Sequence, residues 1–319
     1  MRIISPIDNA AEVVPLLAAG ADELYGGYVP SAWQERYRLL ASLNQRTFAG
    51  AQIESEAELA EIIAALHEQG KTFSLTLNAP FYDDRQLPLV LDYVGRMAEL
   101  GVDGIILADL VLLAQLRQRF PVFEYHASTL AHLTNAAAVR FYVQQGIQRA
   151  VLPRHLTIAE MEAIATGLPE IRFDAFMLVG KCANTEGLCS FHHSSPDKIW
   201  PCEIPYSIAP CHPPGSANLN QAMERQALWS RSNRRHGCGL CALPALSRIG
   251  IHGVKLVGRG AATRVKIRNV KLVKEFIALS AKETDPKVFQ RRARDAHSAS
   301  FGSPCCRNVC YYPEFLEEK

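Results

Sequence analysis

Six of the nine cysteines, Cys182, Cys189, Cys202, Cys211, Cys238 and Cys241, fall between positions 182 and 241. Thiolates are soft ligands, and four of them gathered on irregular loops suit iron–sulfur or zinc. Cys182, Cys189, Cys202 and one of Cys238 or Cys241 make a [4Fe–4S] cluster the leading expectation, with Cys211 as a further alternate. Zn2+ is the alternative, since Cys238-Gly239-Leu240-Cys241 has ordinary zinc-ligand spacing. Cys305, Cys306 and Cys310 offer another ligand, a redox pair or a second metal site, against a plainer reading as surface thiols. An odd count excludes pairing every thiol in internal disulfides. The start, Met1 to Pro6, reads as a strand and not a leader. No apolar run approaches the ~18–20 residues of a membrane span. The expectation is a cytoplasmic protein with reduced thiols, where cysteines serve metals or catalysis.

These thiols need a scaffold, and the rest of the chain supplies one by repetition. A short apolar run, an amphipathic helix and a glycine recur from Ile3-Ile4 onward. Ser55 with Glu58 reads as a capping box, opening a helix with Leu59, Ile62, Ile63 and Leu66 on one face. Glycines at 20, 70, 101, 146 and 250 sit where helices close with a left-handed residue. Strands joined by crossover helices pair in parallel, and about eight of them close a barrel. The expected fold is an α/β, TIM-like (β/α)8 barrel over residues 1–282, including the cysteine-rich region 182–241 before the last strand. Residues 283–319, with Cys305, Cys306 and Cys310, form an extension. An open doubly wound sheet is disfavoured because no Gly-rich turn follows the first strand.

Barrel geometry aims residues at strand ends into one mouth. Tyr25, Asn78, Asp109, His126, Arg154 and His155 stand there, and Arg259 lies just past the last strand. Together they offer acid, base and anion-binding groups, and Arg154 or Arg259 could clamp a carboxylate. Against this, Asn78 and Asp109 are also helix-cap types, and His126 could be a satisfied core histidine. Glu186, His192 and His193 lie inside the cysteine block, where a histidine could replace a cysteine ligand or donate a hydrogen bond to one, against a plainer reading as solvated loop positions. The formal net charge of +2 gives no strong pull toward nucleic acid. Three local basic clusters remain: Arg231/Arg234/Arg235, Arg264/Lys266/Arg268 and Lys287/Arg291/Arg292/Arg294. They suit phosphates or solvated helix faces. Neither His-Glu-x-x-His nor Gly-x-Ser-x-Gly occurs.

Five phrases, in order, resemble peptidase family U-thirty-two, the collagenase-like proteases. They are Thr76-Leu77-Asn78, Gly101 to Asp109, His126-Ala127-Ser128-Thr129 with Thr134-Asn135, Arg149 to Leu156, and Gly250 to Arg259. The family signature, a phenylalanine ahead of a Cys-x4-Gly-x-Cys block, is met by Phe176, Cys182, Gly187 and Cys189. The resemblance implies a [4Fe–4S] cluster on Cys182, Cys189, Cys202 and Cys238, and oxygen-independent hydroxylation with prephenate as oxygen donor. Some members act on ubiquinone precursors and others on tRNA or rRNA bases. Val179 in place of glycine, His155 in Arg154-His155-Leu156 and Val257 in place of the glutamate of Lys-Ile-Glu-Gly-Arg mark a divergent member. The first expectation is redox modification of a small aromatic or quinone precursor. Arg154 or Arg259 would hold a carboxylate donor, and Asp109 or His126 would move protons. RNA-base hydroxylation, a non-catalytic cluster-bearing partner in a hetero-oligomer with a related barrel, and a peptidase are the alternatives.

Overall fold

Gly20 shows how each repeat closes. Its backbone takes φ +116°, and its N–H bonds the carbonyls of Leu16 and Leu17, a turn that a side chain would strain. Gly70, Gly101, Gly146 and Gly250 likewise have positive φ. The chain can therefore leave each helix and return as a strand. The computed structural model describes residues 1–38, 41–46, 50–182, 186–188, 209–231 and 236–316.

The strands are β1 (Arg2–Pro6), β2 (Glu23–Gly26), β3 (Thr72–Leu77), β4 (Gly104–Leu107), β5 (Glu124–Ala127), β6 (Arg149–Val151), β7 (Arg172–Leu178) and β8 (Gly253–Leu256). They pair in sequence order, all parallel, and β8 returns to β1, closing the expected barrel. The helices are α1 (Val13–Ala19), α2 (Ser31–Tyr37), α3 (Glu56–His67), α4 (Leu87–Glu99), α5 (Leu110–Arg119), α6 (Ala136–Gln145), α7 (Ile158–Thr166), α8 (Ala217–Arg231), α9 (Leu243–Arg248), α10 (Thr263–Ser280) and α11 (Pro286–Phe301). On α3, Leu59, Ile62, Ile63 and Leu66 are all buried, as their period predicts. Ser55 accepts the Glu58 N–H at 3.1 Å, but the Glu58 carboxylate bonds the N–H groups of Glu54 and Ala10 instead of Ser55. The expected capping box is thus half made, and its other arm ties α3 to the first repeat.

The described part of the expected extension, residues 283–316, packs against the barrel. Phe289 of α11 meets Phe276 of α10 edge-on at 5.8 Å, and the segment beyond α11 returns to β7. Among the described residues no helix is long and apolar enough to cross a membrane.

The barrel's interior is polar at its amino-terminal end. Arg149 is fully buried; its Nη1 lies 2.7 Å from Glu23 Oε2 and its Nε 2.6 Å from Asp174 Oδ2. Ser74 donates to Glu23 at 2.8 Å, and Arg172 pairs with Glu124 at 2.8 Å. A floor of charges is stable only when each is paired, and removing one partner strands the others in a dry interior. Arg149→Met is therefore expected to lower unfolding stability by about 3–5 kcal/mol, read by denaturant titration. Burial pushes the Asp174 carboxyl up, and Arg149 and His252 outweigh it, leaving it at about 2. Against the same burial, His126, Arg149 and Arg172 hold Glu124 at about 2. Both folded values lie below the unfolded carboxylate range of about 4. Their stabilisation is present above that range and is lost as pH falls through about 2. Stability should decline steadily on acidification from about pH 5 toward 2, and Arg149→Met should flatten that slope.

Candidate active site at the barrel mouth

At the carboxyl ends of the strands the interior changes character, and cations gather around one aromatic ring. Tyr25, inward on β2, is buried and donates its hydroxyl to the Leu256 carbonyl at 2.7 Å. Burial raises its pKa, against the pull of Arg46, Arg259 and Arg154. Arg46 comes from the irregular stretch after α2. Its guanidinium bonds the carbonyls of Ile7 and Ala51, each at 2.7 Å, and pairs with Asp8. Its Nη1 is buried without a hydrogen-bond partner. Arg259 reaches the Gln45 carbonyl, and burial followed by repulsion from Arg46 lowers its pKa to about 10. Lys255, inward on β8, sets its Nζ 4.1 Å from the centre of the Tyr25 ring. Sequence reasoning passed over Lys255 and Arg46. A lysine inside a strand that a parallel barrel buries on both faces was the available signal for the first.

The other expected residues separate. Arg154 does reach the mouth: its guanidinium lies 3.8 Å from the Phe176 ring centre and pairs with Glu186. Glu186 is a buried pin, accepting also from Arg154 N at 3.1 Å and Thr129 Oγ1 at 2.9 Å. His126 does not face the mouth. Its Nε2 lies 3.1 Å from Glu124 Oε2, and a Cβ on Gly104, the first residue of β4, would meet it at 3.1 Å. The ring thus points to the polar floor and away from the position of a mouth acid–base. Asp109 caps α5, accepting from Leu112 N at 2.8 Å and Tyr82 N at 3.0 Å, so both its oxygens are engaged locally. Asn78 accepts from Gln45 N at 3.1 Å and pins the loop that carries Arg46. His155 is exposed, its ring 5.9 Å from that of His132, and burial and that neighbour lower its pKa.

Cys182 and Cys238 both lie by the end of β7. Cys182 follows that strand, and Leu178 and Cys238 form an antiparallel bridge, which sets Cys238 beside it. The tail completes this corner. Cys238 N–H bonds the Val309 carbonyl at 3.2 Å, and Tyr311 N–H bonds the Cys238 carbonyl at 2.9 Å. Lys181 Nζ donates to the carbonyls of Cys310 at 2.5 Å and Arg307 at 3.2 Å. Gly237 and Gly239 flank Cys238 because a Cβ on either would strike the Tyr311 or Tyr312 ring, at 2.7 and 2.8 Å. Desolvation raises the Cys238 thiol, and it raises Cys241 to about 11. Cys211 is exposed, while Cys189, Cys202, His192, His193, Arg234 and Arg235 lie outside the described residues. Among the described residues no three of His, Cys, Asp and Glu are placed to hold one metal ion. A ligand set that includes Cys182 and Cys238 would take further ligands from outside the described residues, where the expected Cys189 and Cys202 lie. The donor chemistry fits iron–sulfur ligation, since Cys182 and Cys238, distant in sequence, both flank the end of one strand.

A model of Peptidase family U32 matches residues 8–314. The chain belongs to this family. U32 relatives include the tRNA hydroxylation protein P of Escherichia coli, 27% identical over 59% of this chain and 38% of that protein. The 23S rRNA 5-hydroxycytidine C2501 synthase of Escherichia coli is 24% identical over 65% of this chain and 30% of its own length. The Collagenase of Porphyromonas gingivalis is 24% identical over 51% and 35%. The chain thus spans well under half the length of these U32 relatives. Within the U32 signature, the glycine has a steric reason. A Cβ on Gly187 would lie 2.2 Å from His132 Cβ and 2.8 Å from His132 Cα. Gly187→Ala should destabilise the protein by about 1–3 kcal/mol through overpacking. The loop between Cys182 and Cys189 should also become more sensitive to limited proteolysis.

Proposed function

We propose that this chain takes part in oxygen-independent hydroxylation of an RNA base, with a [4Fe–4S] cluster on Cys182, Cys189, Cys202 and Cys238. The observation that carries this reading is the placing of Cys182 and Cys238 at the β7 end, beside a mouth lined by arginines. RNA is preferred over a quinone precursor because the curated relatives include hydroxylation proteins named for tRNA and rRNA. A cluster bound there supplies one-electron redox capacity and iron for an oxygen donor.

The chain's own residues do the rest. Arg259 and the vacant Nη1 of Arg46 offer two guanidinium groups to a carboxylate donor. Tyr25, Phe176 and Ile4 give that end of the lumen apolar walls, which exclude water and strengthen those contacts. Arg154 is held by Glu186 and stacked on Phe176, so it shapes the wall more than it grips a ligand. Of the three basic clusters, one is taken apart by the fold. Lys266 is buried between Asp8 and Glu12, each at 2.5 Å, and Arg268 stacks on Phe301 at 4.9 Å. Lys287, Arg291 and Arg292 stay exposed on α11 and remain the phosphate-facing candidates.

Anaerobic purification should yield a brown protein with iron and sulfide near four each per chain, as a [4Fe–4S] cluster requires. Cys182→Ser or Cys238→Ser should lose most of the iron, and Cys241→Ser should keep it. A colourless protein carrying zinc overturns the cluster. Mass spectrometry of nucleosides from a deletion strain should show loss of one hydroxylated base. An unchanged nucleoside profile with altered quinones overturns the RNA assignment.

A further inference from the structure

Charge matching at the mouth leaves Arg259 and Lys255 without a carboxylate partner among the described residues. Arg46 pairs with Asp8, Lys266 with Asp8 and Glu12, and Arg154 with Glu186. Among the described residues Lys255 Nζ has neither a hydrogen bond nor an ion pair, and it lies against the Tyr25 ring. Its strand neighbours are Phe176 on β7 and Ile4 on β1. Ile4, Tyr25 and Ile106 form an apolar cluster of their own inside the barrel, apart from the main core. A long amine ending against that cluster points into the lumen, not outward under the helices.

A buried amine with apolar walls and cationic neighbours has the setting that turns a lysine into a nucleophile. Desolvation, together with Arg149 and Arg46 and against the pull of Asp174 and Glu23, brings Lys255 down to about 8. A substantial neutral fraction then exists near neutral pH. Arg259 and Arg46 both act on the Tyr25 ring that Lys255 faces, and they supply anchors for a carboxylate. From this arrangement we infer that Lys255 is an imine-forming residue for an oxo acid, held through its carboxylate by Arg259 and Arg46. The amine lone pair attacks the carbonyl carbon, and the C=O pair moves to oxygen. One nitrogen proton passes to that oxygen to give a carbinolamine. Loss of water, carrying the second nitrogen proton, forms C=N, with no net oxidation. The inference shares only the carboxylate anchors with the proposed hydroxylation, and needs neither iron nor RNA.

Imine trapping tests it on the full chain, with and without reconstituted iron. Pyruvate and sodium borohydride should fix a stable secondary amine, located by peptide mass mapping. Lys255 should be labelled in preference to every other lysine. Acetate should protect it, and acetone, which lacks the carboxylate, should label it poorly. Arg259→Gln should raise the pyruvate concentration for half-labelling by about tenfold. Lys255→Arg keeps the cation and cannot form the imine, so it should abolish the adduct without changing the melting temperature. Labelling spread over surface lysines, or none at Lys255 in a protein that melts normally, overturns the inference. Protection of the fold by pyruvate without any adduct overturns it too, because Lys255 is then only a cation. An unchanged nucleoside profile in the deletion strain with intact trapping counts against the hydroxylation reading and leaves Lys255 in place.

Discussion

The contact on which the rest depends is Arg149 lying between Glu23 and Asp174 across the barrel interior. One guanidinium joins β2, β6 and β7, strands that are not all neighbours, through the space their side chains enclose. Two short charge-assisted bonds offset the desolvation of three ions only if the strands keep their register. A shift by one residue would turn every one of these groups toward the helices. The floor thus fixes the angular position of the strands, and with it which residues point up into the mouth.

Above that floor the lumen is divided by chemistry. His126 and Glu124 belong to the lower, paired layer, while Tyr25, Ile4 and Ile106 separate it from the arginines above. This division explains why residues at similar strand ends have unlike surroundings. Asp109 lies two positions outside its strand and turns back to cap a helix, whereas Lys255 lies inside its strand and faces the lumen.

Local periodicity carries most of the architecture, so the fold was legible. The glycines at helix ends, the buried face of α3 and the alternation of apolar run and helix each state their geometry within a few residues. The site was legible only in part. The Phe176, Cys182, Gly187 pattern is local, and its place at the end of β7 follows from the strand before it. Arg46 and the tail's approach to Cys238 depend on contacts between distant segments, for which spacing gives no signal. His126 misled because its position in the chain sets which face it takes but not which way along the lumen its ring leans.

The tail's grip on Cys238 sets an order of events. The backbone of Cys238 is completed by Val309 and Tyr311, and its flanking glycines receive Tyr311 and Tyr312. Those residues leave the ribosome after the whole barrel has been synthesised. A nascent chain can close all eight strands and still lack one wall of this corner, so Cys238 stays uncovered on that side until residues 309–312 settle against it.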